Sequence, residues 1–86
     1  MQKRDEVYKQ LAINITYYRR KAELTQEELA AKIGISRTHM SNIETPNVPT
    51  PFTTEVVFNI AEALNVKLMD LFVLYKHIEY MRKPSP

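Results

Sequence analysis

The chain has no cysteine, which excludes a disulfide framework and a thiolate metal site. Two histidines without a thiol make a poor zinc site. Glycine occurs once, at Gly34, and one glycine cannot build a phosphate-cradling loop. No apolar run approaches the length of a membrane span. The start, MQKRDEVYKQ, is polar and lacks the apolar stretch of a secretory signal. Neither sign of charge dominates: the net charge is +2, which permits an anionic partner without demanding one. Ser36 and His39 have no acidic orienter at a useful spacing and no oxyanion loop, so a hydrolase triad has no support. Glu27 and Glu28 are adjacent and cannot share a helix face. These absences point to a cytoplasmic binding protein with no cofactor, no metal, no catalytic site and no membrane anchor. Its 86 residues suffice for one small domain, read as 1–86 with a core over about 7–72.

What is present is helical periodicity. Val7, Leu11, Ile15, Tyr18 and Ala22 share one face of a helix expected over Asp5–Ala22. Ile13 and Tyr17 fall on its outer side. A second helix starts after Thr25, which forms a capping box with Glu28. A third follows Ser36, a good N-cap. Thr45 to Pro51 carries three prolines and reads as a loop. A fourth helix starts after Thr53 or Thr54 and turns Val56, Val57, Ile60, Ala61 and Leu64 inward. Asn65 stands where a left-handed helix end is usual. A fifth starts near Leu68 and is expected to run to Arg82, with about 73–82 as an extension. The fold class is therefore all-α, a five-helix bundle with an extended C-terminal helix.

The second and third helices carry the most information. Leu29, Ile33, Ile35, Met40 and Ile43 recur as an apolar register, with small Ala30 where two helices must touch. Gly34 sits at the turn, where a positive φ is needed. Two short helices joined by a glycine turn are a helix-turn-helix. The third helix, about 36–44, buries Ile35, Met40 and Ile43, so Arg37, Thr38, Ser41 and Asn42 face away from the core. Arginine offers a donor pair to guanine, asparagine a donor and acceptor to adenine, and threonine a methyl for thymine. A solvated polar face is the plainer reading of those four taken alone.

The pattern from about Leu11 to Phe72 resembles the Cro/CI repressor-like (XRE-type) family of helix-turn-helix regulators, the lambda-repressor-like fold. Three blocks carry the resemblance: Ile15–Arg19, Leu24–Ser36 through Glu44, and Ile60–Val66 through Asp70-Leu-Phe72. It implies a major-groove recognition helix with Arg37, Thr38, Ser41 and Asn42 at base edges, and Ser36 and Thr45 at the margins. It also implies that Gln26 holds a phosphate, and that Arg19 and Glu44 pair across the core. Ser36, His39 and Asn47 are further candidates for phosphate, as are Arg20 and Lys21. A solvated surface position is an equal reading for His39 and the last two.

Three positions depart from the family pattern. The loop after Glu44 is long and uncharged, which should reduce the electrostatic share of affinity. Glu23 and Lys67 replace a small or polar residue and a hydroxyl cap. After Phe72 the apolar residues continue, with Leu74, Tyr75, Ile78 and Met81 in line with Leu71. Phe58, on the outer side of the fourth helix, adds to them. These suggest a homodimer on a two-fold symmetric stretch of double-stranded DNA, since two modules double a small footprint. The expected function is that of a small dimeric regulator or repressor. The competing reading is a helical protein-interaction module, an antitoxin or adaptor, working through its apolar C-terminal segment.

Overall fold

The computed structural model describes residues 3–46 and 53–73. These form α1 (Lys3–Lys21), α2 (Gln26–Ile33), α3 (Arg37–Ile43), α4 (Thr54–Leu64) and α5 (Leu68–Leu71), with no strand among them. Their apolar faces meet in one core: Leu11 and Ile15 of α1, Leu29 and Ala30 of α2, Met40 and Ile43 of α3, Val57, Ile60, Ala61 and Leu64 of α4, and Leu71 of α5. α2 packs on α3 and α4, while α1 and α4 close over α5. Ala30 is 1% exposed, so any larger side chain there would push the helices apart.

Three of the links between helices share one three-residue design. α1, α2 and α4 each end on a left-handed residue: Glu23 (φ 60°), Gly34 (φ 76°) and Asn65 (φ 56°). In each, the next N–H donates back to the helix, from Leu24 to Arg19, Ile35 to Ala30 and Val66 to Ala61, at 3.0–3.1 Å. Those three apolar residues are half-buried against the core. The residue after each caps the following helix, as Thr25, Ser36 and Lys67. This is the Schellman ending followed at once by an N-cap. At Gly34 a Cβ would meet no atom within 4 Å, so glycine supplies the dihedral angle and not room.

The caps differ in quality. The Thr25 hydroxyl accepts from the Glu28 N–H at 3.0 Å, and the Glu28 carboxylate accepts from the Thr25 N–H at 2.8 Å. That bond from the Thr25 backbone, followed by one from the Thr25 hydroxyl to the carboxylate, lowers the Glu28 carboxyl below its ordinary 4.5. The stabilisation is therefore present above 4.5 and lost as the pH falls through the lowered value. Lys67 has no acceptor in its side chain. α5 keeps only the returning half of the box, Lys67 N–H to Asp70 at 3.1 Å.

Two expectations about helix faces are corrected. Helix α1 has no outer side over residues 10–16, all of which are buried, Ile13 at 6% exposure included. Periodicity assumes one buried stripe, whereas α1 is contacted in three directions. Leu11 and Ile15 enter the core, Thr16 and Arg19 meet the end of α3, and Asn14 meets the end of α5. Tyr17 is half-buried, its ring edge-to-face with Tyr18 and under the Lys21 ammonium. Ala22 lies past the helix end and is exposed. Second, α5 stops at Leu71 and does not continue through Phe72 and Val73. Asn14, fully buried and oriented by Gln10, donates its amide to the carbonyls of Leu71 (2.8 Å) and Val73 (3.0 Å). The side chain takes the Leu71 acceptor that a further helical turn would use. Leu74, Tyr75, Ile78 and Met81 lie outside the described residues, as does Asn47.

The α1–α2 link makes a direct stability prediction. A left-handed non-glycine residue costs roughly 1–2 kcal/mol. Glu23→Gly should therefore raise stability by about 1 kcal/mol in urea denaturation, less the entropy glycine adds to the unfolded chain. A lowered midpoint would mean the Glu23 side chain contributes a contact that outweighs its backbone strain.

Candidate nucleic-acid interface

The face presented by α3 follows from how α3 is held. Met40 and Ile43 are buried in the core, and Glu44, its C-cap, is 6% exposed. The opposite side carries Arg37, Thr38 and Asn42, all exposed, with Ser41 half-buried beside them. These four form one continuous row along two turns. Ser36 caps the helix by accepting from the His39 N–H at 3.0 Å, which leaves its hydroxyl proton available to an anion. His39 is half-buried. The Thr45 hydroxyl turns back to the Ser41 carbonyl at 2.8 Å and closes the last turn. Arg20 and Lys21 are exposed at the end of α1, Lys21 with its ammonium 5.7 Å from the Tyr17 ring centre.

Beneath this row lies a buried ionic network. Arg19 Nε donates to Glu44 Oε2 at 2.7 Å and Nη2 donates to Oε1 at 3.0 Å, a bidentate pair. The third guanidinium nitrogen, Nη1, donates to the Leu24 carbonyl in the α1–α2 link at 2.7 Å. Glu44 Oε1 also accepts from the Thr16 hydroxyl at 2.9 Å and from Gln26 Nε2 at 3.2 Å. The carboxylate thus joins α1, the first residue of α2 and the end of α3. Gln26 is half-buried at the rim of this network. Thr16 was not singled out from sequence. The available signal was its place three residues before Arg19, on the same face of α1.

Among the described residues, no group of three histidine, aspartate or glutamate side chains is placed to hold a metal. None of their helices is long and apolar enough to cross a membrane. The apparatus consists of an exposed row of hydrogen-bonding side chains on a rigid helix, with an amide and a hydroxyl at its edges. Such side chains can both donate to and accept from a polar partner.

Residues 15–71 match the sequence model of the helix-turn-helix family. The chain belongs to that family, in its Cro/CI repressor-like (XRE) branch. A helix-turn-helix-type transcriptional regulator of Methanocaldococcus jannaschii, itself uncharacterized, is 37% identical over 59 residues, covering 69% of this chain and 86% of that protein. The crystal structure of a hypothetical transcription factor, NHTF, from Neisseria superposes with a TM-score of 0.74 at 24% identity, over 96% of this chain and 90% of that one. At that identity the likeness is one of fold.

Removing one partner of a buried pair strands the other charge, at about 3–5 kcal/mol. Arg19→Ala and Glu44→Ala should each lower the thermal midpoint steeply while leaving the row on α3 chemically intact. Unchanged melting in both variants would show that the pair does not anchor α3.

Proposed function

We propose that the chain is a sequence-specific regulator that binds double-stranded DNA through α3. The observation that carries this reading is the exposed row Arg37, Thr38, Ser41 and Asn42 on a helix whose other side is locked by Met40, Ile43 and Glu44. Arg37 and Asn42 supply the bidentate chemistry of guanine and adenine readout, and Thr38 and Ser41 adapt to either. Gln26, Ser36, His39 and Asn47 hold phosphates. The chain acts as one domain, as a repressor in the cytoplasm, and catalyses nothing.

A single module covers a small footprint, so the working form is a homodimer on a two-fold symmetric site. Tyr8, Phe58, Met69, Phe72 and Val73 are exposed apolar residues, and Leu74, Tyr75, Ile78 and Met81 continue the apolar run in sequence. The same exposed residues favour the second reading, in which the chain chiefly holds a different protein, as an antitoxin or adaptor does.

Selection of bound sequences from a random duplex library separates the two readings. A regulator enriches a symmetric site; a pure interaction module enriches none. On the selected site, Arg37→Ala and Asn42→Ala should each lose about 1–3 kcal/mol of binding with little change in melting. A variant that binds selected and random duplexes as the parent does is not a base reader at that position.

The dimer makes its own prediction. Leu74→Glu combined with Ile78→Glu should give monomers in sedimentation at micromolar concentration, with much weaker binding to the symmetric site, because burying a carboxylate in an apolar seam is costly. A parent that sediments as a monomer both free and on DNA would overturn the homodimer.

A further inference from the structure

We propose that Glu44 is a positioning residue for Gln26, and that the buried ion pair thereby presets the protein's grip on the DNA backbone. The proposal rests on the DNA-binding reading above and deepens it. Gln26 is the first residue of α2, half-buried, with its amide nitrogen 3.2 Å from Glu44 Oε1. A carboxylate only accepts hydrogen bonds, so it admits the NH2 end of the Gln26 amide and rejects the carbonyl end. One amide hydrogen is spent on Glu44. The other, on the same nitrogen, remains for a second acceptor at the rim of the network. A phosphate oxygen needs just such a donor.

The rest of the network holds this arrangement in place. The Glu44 side chain is 3% exposed, and its two oxygens receive Arg19 Nε, Arg19 Nη2, Thr16 Oγ1 and Gln26 Nε2. With both oxygens engaged, the carboxylate cannot rotate to release Gln26 without breaking bonds to α1. Arg19 neutralises the carboxylate, so an arriving phosphate meets a polarised N–H and not a bare negative charge. The seat of the recognition helix and the orientation of the phosphate donor therefore depend on the same group. A flexible surface glutamine would have to be ordered on binding, and this one is ordered beforehand.

A double-mutant cycle on duplex binding tests the coupling, using Gln26→Ala, Glu44→Gln and the two together. Glu44→Gln is nearly isosteric but leaves one acceptor where there were two, and Arg19 and Thr16 compete for it. In the parent, Gln26→Ala should weaken binding about tenfold, to selected and random duplexes alike, as loss of a phosphate contact does. In the Glu44→Gln background the same change should cost less than about threefold. Equal losses in both backgrounds would overturn the positioning role while leaving DNA binding intact. A parent that binds no duplex would overturn the DNA reading and this proposal together. Nuclear magnetic resonance of the parent supplies a readout that needs no destabilised variant. The two side-chain amide protons of Gln26 should be shifted apart in the free protein, the one bonded to Glu44 should be slow to exchange, and the other should move on adding duplex. Amide signals like those of a solvated glutamine in the free protein would refute the proposal.

Discussion

A single buried carboxylate, that of Glu44, is the constraint from which the working geometry follows. A charge removed from water needs nearly every lone pair satisfied. Glu44 meets that demand with donors from α1 and from the first residue of α2. Because Glu44 is the C-cap residue of α3, satisfying its carboxylate fixes where α3 ends relative to the other two helices. Apolar packing of Met40 and Ile43 sets the depth of α3, but packing is non-directional. The charged hydrogen bonds supply the direction.

The short links supply the second constraint. A left-handed residue, an apolar residue and an N-cap occupy three consecutive positions at the ends of α1, α2 and α4. Each link ends one helix, half-buries one apolar side chain and starts the next helix at the following residue. The angle between α2 and α3 is therefore set locally, before any partner is met. Glu23 and Lys67 fill this pattern with poorer residues than Gly34 and Ser36 do. The weaker links lie away from the α2–α3 turn, whose own residues suit it.

The chain belongs to the helix-turn-helix family, and its α3 exposes Arg37, Thr38 and Asn42. The row on α3 is exposed, the Gln26 amide is tied to Glu44 at the end of that helix, and the Ser36 hydroxyl caps its start. Tyr8, Phe58, Met69, Phe72 and Val73, the large apolar residues that are exposed, belong to segments other than α3.

The sequence by itself determined the helix register, the caps and the turns, because these depend on residues within a few positions of one another. Gly34 and Asn65 have left-handed φ, Thr25 and Glu28 form their box, and the core of α4 is the row its periodicity marks. Only the tertiary structure decided the burial of Ile13, the end of α5 and the partners of Gln26. For the last two the deciding contact comes from another helix: Asn14 takes a carbonyl 57 positions away, and Glu44 takes an amide 18 positions away. A buried polar side chain must find its partner wherever the fold brings one, and that pairing leaves no period in the chain.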